Sequence, residues 1–374
     1  MKQVYVFHGM VKQYRAPLFA RLYEELGECG IAFKVVYGDP STVEAKRGDN
    51  VELPQSYGHK IHNYWLFADR LVVQPILSEV LKGDLVILEQ ANKFVLNHFV
   101  VLLSMLGLKR VAFFGHGRNR QQGGRFSEWY KKAILKRVDW WFAYTQGTSQ
   151  YLVSQGVDQD KITVVQNSVD LSKFKSELEM ATCDDLAALR TELHIMEWEP
   201  VGLYCGGLHS DKKLSFLLSA AKKVRERVAN FQLIVVGGGV ESGQVEVAAR
   251  DADWIHYVGP KFGTEKARYF RISDVFLCPG LVGLGILDAF CAGLPLLTTR
   301  LPIHSPEIEY LEPGVNGLMT EPEIKSFTDA LAYLLMDRER LSRMSQAAQE
   351  SAARYGMDAM VQRFKNGIVE CLAR

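Results

Sequence analysis

One grammar, repeated from end to end, most narrows what this chain can fold into: a short β-branched or aromatic run, a turn often marked by glycine, then a helical stretch. The first half carries VYVF (4–7), FKVVYG (33–38), DLVILEQ (84–90), RVAFFG (110–115), DWWFAYT (139–145) and ITVV (162–165). The second half carries VGLYCGG (201–207), FQLIVVGGG (231–239), WIHYVG (254–259), DVFLCPG (274–280), LPLLTT (294–299) and NGLMT (316–320). These runs are apolar at consecutive positions, as strands covered on both faces must be. The segments between them, PLFARLYEEL with Pro17 in its first turn, DRLVVQPILSEVL, NKFVLNHFVVLLSML and SEWYKKAILKR, read as the helices that parallel strands need as crossovers. The pattern predicts an α/β protein with parallel sheets.

At 374 residues and 48% hydrophobic content, the chain is long for one core and has apolar material for two. Residues 171–198 are polar, charge-rich and strand-free. The predicted division is therefore a doubly wound domain 1–170, a linker 171–198 and a second doubly wound domain 199–356, the two facing each other across a cleft. The pattern after Pro322 is helical with a break at Tyr355-Gly356, so a last helix, about 357–374, can pack back on the first domain.

Lys plus Arg number 44 against 43 Asp plus Glu, so no global field draws the protein onto nucleic acid. Six cysteines without a CxxC pair suit thiols in a reducing compartment, which predicts a cytoplasmic protein. The start, MKQVYVFHGM, lacks the apolar core of a secretory signal. The apolar stretch Phe94–Leu108 is interrupted by Asn97 and His98 and falls short of the roughly 20 residues of a membrane span, so it is predicted to be a buried helix.

Several strands end in glycine: Phe7-His8-Gly9, Phe114-Gly115-His116-Gly117, Cys205-Gly206-Gly207, Val236-Gly237-Gly238-Gly239 and Cys278-Pro279-Gly280. Ligands of open parallel sheets lie beyond the carboxyl ends of the strands, where glycine lets a backbone approach closely. In CPGLVGLGILDAFCAGLP, Gly283 and Leu284 precede a helix whose first amides suit a phosphate, and Asp288 follows where it can reach a hydroxylated group beside it. A dinucleotide-binding dehydrogenase is disfavoured, because Asp288 replaces the third glycine of the fingerprint and the motif comes late in the chain.

Aligned on Ala289 and Gly293-Leu294-Pro295, this stretch resembles the nucleotide-sugar-dependent glycosyltransferases of family 4, which have the GT-B fold of two facing Rossmann-like domains. The family's Glu-Gly-Phe-Gly-Leu is here Gly280-Leu281-Val282-Gly283-Leu284, a form similar to that of one branch, and its second glutamate is Asp288. The resemblance implies that Asp288 grips the ribose with a shorter reach. It also implies that the donor sugar is held differently, since Gly280 stands where its glutamate would be. Gly206-Gly207-Leu208-His209-Ser210-Asp211-Lys212 resembles the family's Gly-Arg-Leu-x-x-x-Lys, which makes Lys212 the cation for the leaving diphosphate and leaves Gly207 in place of the arginine. Asn167-Ser168-Val169-Asp170 and Pro306-Glu307-Ile308 resemble weaker family runs, with Glu307 on the donor side.

The predicted site is therefore Lys212 and His116 as catalytic groups, with Gly9, Gly206, Gly207, Gly280, Val282, Gly283, Leu284, Asp288 and Glu307 around the donor. Arg15 and Arg118 would meet phosphate or acceptor. No metal and no cofactor besides the donor nucleotide sugar are expected. The implied reaction is retaining transfer of a sugar to a hydroxyl of a glycan or lipid-linked acceptor, in bacterial surface polysaccharide synthesis. A non-catalytic subunit partnering an active transferase, or a GT-B sugar epimerase, are the alternatives. Residues 118–137 carry seven bases against one acid with aromatic residues interleaved, a candidate for peripheral contact with an anionic membrane or simply a solvated basic face.

Overall fold

The computed structural model describes residues 1–45, 50–67, 69–91, 93–117 and 134–374. Two compact units divide the chain: Met1–Val169 with Met357–Arg374, and Asp170–Gly356. Together the first unit's strands are β1 (Lys2–His8), β2 (Ile31–Tyr37), β3 (Gly58–Lys60), β4 (Tyr64–Leu66), β5 (Leu71–Val73), β6 (Leu85–Glu89), β7 (Arg110–Gly115), β8 (Trp140–Ala143) and β9 (Ile162–Val164). Seven of these form one parallel sheet in the order β3-β2-β1-β6-β7-β8-β9, and β4 pairs with β5 as a separate antiparallel ribbon.

Alternate residues of the large sheet feed two cores. Val4, Val6, Phe33, Val35, Ile87, Phe114 and Phe142 face the helices Ala16–Glu28 and Met357–Ala373. Phe7, Val36, Val86, Leu88, Phe113 and Trp141 face the helices Leu77–Lys82, Val95–Met105 and Gln146–Ser154. A sheet buried on both faces needs consecutive apolar residues, the pattern seen in the sequence. The last helix completes the first core: Phe364 stacks on Phe142 at 4.3 Å, and Gly367 lies so close that a Cβ there would sit 2.4 Å from the Thr163 hydroxyl and 2.8 Å from the Phe142 ring.

The second unit has β10 (Val201–Cys205), β11 (Gln232–Val236), β12 (Ile255–Gly259), β13 (Val275–Cys278), β14 (Leu296–Thr299) and β15 (Gly317–Thr320), all parallel in the order β12-β11-β10-β13-β14-β15. Strand order reverses between β10 and β13, as it does between β1 and β6 in the first unit. Such switch points part the loops at the carboxyl ends of neighbouring strands and leave a crevice there.

Three expectations are corrected. Residues 171–198 are not a linker: they form the helices Ser172–Met180 and Cys183–Glu192 of the second unit. Phe174, Leu178 and Leu189 are buried, Arg268 bonds Asp185 at 2.7 Å, and Arg271 bonds the Leu178 carbonyl at 3.1 Å. The helix Val95–Met105 is not buried all round, since it covers the sheet with Asn97, Val100 and Val101 and leaves Phe99, Leu102 and Met105 exposed. The predicted helix DRLVVQPILSEVL is split at Gln74-Pro75 into β5 and the helix Leu77–Lys82, because proline cannot donate within a helix interior. Among the described residues no helix is long and apolar enough to cross a membrane.

Gly367→Val would drive a branched side chain into Thr163 and Phe142, and overpacking of this kind costs about 1–3 kcal/mol. The variant is expected to melt several degrees lower than the native chain, with the loss seen in the fluorescence of Trp140 and Trp141.

Candidate functional site

At the switch point of the second unit, β10 leaves through Gly206 to His209, a single 3-10 turn Ser210–Lys212 and Lys213 in the left-handed region (φ 56°). β13 leaves through Pro279 to Leu284 into the helix Gly285–Cys291. The two loops are clasped backbone to backbone. A Cβ on Gly280 would lie 2.3 Å from the Asp211 carbonyl oxygen and 2.4 Å from the Lys212 Cα. The Leu281 amide donates to that same carbonyl at 2.8 Å, and the Lys212 ammonium donates to the Leu281 carbonyl at 2.6 Å.

Gly280, expected to border the donor sugar, is thus the contact that closes this clasp. No acid can occupy position 280 while the 211–212 backbone runs there. Gly206 and the triple glycine after β11 serve a similar end: a Cβ on Gly237 would fall 1.9 Å from the Gly206 carbonyl oxygen, and one on Gly239 would fall 2.4 Å from that of Leu208. Amides of Gly206 and Leu208 then donate to the carbonyls of Val236 and Gly238 at 3.0 and 2.9 Å. Gly207 receives the Tyr204 hydroxyl on its carbonyl at 2.8 Å, and its Cβ position is filled by the His209 ring at 2.9 Å.

Two glycines differ. The Cβ position of Gly285 has nothing within 4 Å, and that of Gly283 has only Ser305, at 3.6 Å and beyond. Among the described residues, the amides of Gly283 and Leu284 donate no hydrogen bond. Val282, expected beside the donor, is instead 2% exposed, and its amide donates at 3.1 Å to Nδ1 of His304. Nε2 of that ring faces the Thr299 carbonyl at 2.7 Å, so the pair of contacts is satisfied by the neutral ring carrying its hydrogen on Nε2. The hydroxyls of Thr298 and Thr299 brace the carbonyls of Cys278 and Pro279 at 2.7 and 2.6 Å. His304 was missed from sequence because it lies in no motif.

Asp288, in the first turn of the helix, accepts from the Lys266 ammonium at 2.8 Å. Both side chains are about a quarter exposed. The Cys205 thiol at the end of β10 lies within their field: burial and the Asp288 charge push it up to about 12 against the opposing pull of Lys266. Lys212, Gly283, Leu284 and Asp288 therefore belong to one carboxyl edge, at the ends of β10 and β13. Glu307 is buried in the 3-10 helix Pro306–Tyr310.

In the first unit, the loops after β1 and β6 are also joined. Glu89 Oε2 accepts from Nδ1 of the buried His8 and from the Gly9 amide, each at 3.2 Å. The Gly9 carbonyl accepts from Asn63 at 2.7 Å and from the Gly38 amide at 3.0 Å, so neither backbone group of Gly9 is left for the donor. Arg15, expected to meet phosphate or acceptor, is 5% exposed, with its guanidinium 5.0–5.2 Å from the ring centres of Tyr14, Phe114 and Tyr144. His116 is half-buried, edge-on to Tyr144 at 6.1 Å, and follows a β7 end held by Gln90, whose Oε1 takes the Gly117 amide at 3.1 Å. Arg118 and residues 118–133 of the basic segment lie outside the described residues.

The sequence profile described as Glycosyltransferase Family 4 matches residues 4–173, and that described as Glycosyl transferases group 1 matches residues 199–337. The chain belongs to the family 4 glycosyltransferases. A D-inositol 3-phosphate glycosyltransferase of Nocardia farcinica is 28% identical over 238 residues, covering 60% of this chain and 51% of that protein. The chain spans about half the length of the curated relatives it matches. Among solved structures, HepE from Anabaena in complex with UDP superposes with a TM-score of 0.70 at 14% identity, covering 99% of this chain and 100% of that one. A glycosyltransferase from Rickettsia africae gives 0.71 at 14% identity, covering 99% and 97%. The fold of this family 4 glycosyltransferase is GT-B.

Two outcomes follow from the site's geometry. Gly280→Ala places a methyl against the 211–212 backbone and is expected to lower the melting temperature by several degrees, whereas Gly285→Ala, into open space at a helix start, leaves it unchanged or raises it slightly. Burial alone would raise the Glu89 pKa, but hydrogen bonds from His8 and Gly9 hold it down at about 2, below its ordinary 4.5. A depressed carboxylate contributes stability that is present above about pH 4.5 and lost as pH falls toward 2. Glu89→Gln should therefore flatten the fall in melting temperature between those values, as followed by tryptophan fluorescence.

Proposed function

We propose that this chain moves a sugar from a nucleoside diphosphate sugar to a hydroxyl of a glycan or lipid-linked acceptor, with retention of configuration, in the assembly of a bacterial surface polysaccharide. The observation that carries the donor assignment is the β10–β13 edge. Two open glycines and two unused amides, at Gly283 and Leu284, stand there with a lysine and an aspartate, while the neighbouring glycines are spent on packing.

Each group has a separate part in this reading. The amides of Gly283 and Leu284 receive the diphosphate oxygens. Lys212, whose ammonium rests on the carbonyl two residues before Gly283, moves onto the leaving diphosphate as negative charge builds there. Asp288 accepts hydrogen bonds from the ribose hydroxyls. The sugar itself has no acid at position 280, so its hydroxyls are recognised by other groups. No nucleophile from the protein is invoked. Departure of a stabilised diphosphate, with the acceptor hydroxyl attacking from the same face and passing its proton to the departing phosphate oxygen, accounts for retention.

A thermal-shift series with UDP, GDP, ADP and TDP and their sugars tests the donor site, because a ligand of the native state raises stability by about 2.7 kcal/mol at a hundredfold excess over Kd. UDP comes first, as the ligand with which the fold relative HepE was solved. At least one nucleotide should raise the melting temperature by several degrees. Asp288→Ala and Lys212→Ala, each compared with its own unliganded melting temperature, should abolish the rise. A rise that survives in both variants would sink this placement. Retention is read separately from the anomeric configuration of the product by NMR.

A further inference from the structure

The partner of Asp288 has its own architecture. Lys266 lies in the first turn of the helix Gly263–Arg271, and its ammonium is surrounded by groups from two other helices and from its own. Asp288 Oδ2 stands 2.8 Å away on the helix Gly285–Cys291. The Phe174 ring, from the helix Ser172–Met180, has its centre at 4.4 Å, and the Phe270 ring, one turn along its own helix, at 5.5 Å. Glu177 adds a second negative charge from the same side as Phe174. Burial would draw a proton off this lysine, but the charges of Asp288 and Glu177 outweigh it and keep the ammonium protonated.

A lysine held by two aromatic faces and a carboxylate has little freedom, and it takes only one of the two oxygens that Asp288 offers. Among the described residues, none donates a hydrogen bond to Oδ1. An aspartate side chain has two torsions, and an ion pair on one oxygen fixes the direction of the other.

We propose that Lys266 is a positioning residue for the nucleoside part of the donor: by pinning Asp288 Oδ2 it presents Oδ1 to the ribose hydroxyls. The inference rests on the reading of Asp288 as the ribose ligand. Lys266 itself touches no substrate group in this account, and Phe174 supports it from a helix whose sequence shows no sign of belonging to a site.

The test compares isothermal titration of UDP, GDP and ADP with their 2′,3′-dideoxy counterparts in the native chain, Lys266→Met and Lys266→Arg. The native chain should bind one ribonucleotide about tenfold or more tightly than its dideoxy form, the worth of hydrogen bonds to a charged acceptor. Lys266→Met should collapse that ratio by weakening the ribonucleotide alone, with the dideoxy form within about threefold of its native affinity, and Lys266→Arg should restore most of it. A general loosening would weaken both ligands alike and overturns the proposal. If the native chain discriminates and Lys266→Met discriminates as well, Lys266 has no positioning role, although Asp288 keeps its ribose. If the native chain does not discriminate, or binds none of the three, the ribose reading of Asp288 falls and the inference falls with it. Should Lys266→Met fail to melt cooperatively, Lys266→Gln, which keeps a polar stem, carries the same comparison.

Discussion

The close approach of Gly280 to the Asp211–Lys212 backbone organises the second unit's carboxyl edge. Reversal of strand order between β10 and β13 parts the loops at this point, and contacts between the loops hold them together. Here a glycine without a Cβ lets two chains touch, and the Leu281 amide and the Lys212 ammonium lock them there. Everything placed at this edge depends on that contact. It sets where the Lys212 ammonium rests, where Val282 turns inward to His304, and where Gly283 and Leu284 emerge with their amides unused.

Glycine-bearing strand ends have two physical roles in this chain, and a sequence cannot separate them. At Gly237, Gly239 and Gly280 the missing Cβ admits another stretch of backbone. At Gly283 and Gly285 it admits nothing from the protein and leaves room. Only the second kind is available to a ligand. A residue can thus match a binding motif in frame and still be used for packing. The absent glutamate at position 280 is accordingly a consequence of loop geometry, and the grip on the sugar must come from elsewhere.

The strands were legible in the sequence because burial on both faces forces consecutive apolar residues, and the twelve runs read from it correspond to the long parallel sheets. The strands β3 and β4 are mostly exposed and give no such apolar run, and β5 was taken into the predicted helix that Pro75 splits. Residues 171–198 were misread because their charges looked like solvation. In the fold Asp185 is paired with Arg268, and Phe174 and Leu178 are buried. Asp288 could be picked out by its place after the glycines, but Lys266 lies 22 residues earlier, and an ion pair at that separation leaves no periodic trace. Arg15 illustrates the converse: a basic residue after a strand suggested an anion, whereas three aromatic rings take its guanidinium out of water. Among the first unit's candidates His116 was the least legible, since it stands beside a segment outside the described residues.

Both units close their switch points, yet with different chemistry, and the difference bears on how each responds to its surroundings. In the second unit the clasp is made of amides, carbonyls and a lysine, none of which changes charge in mild acid. In the first unit it is a carboxylate shared between His8 and the Gly9 amide, with the second imidazole nitrogen of His8 buried and without a hydrogen-bond partner. Protonating Glu89 weakens both of its contacts at once. Acid should therefore loosen the β1–β6 clasp, which depends on a carboxylate, before it disturbs the β10–β13 clasp, which does not.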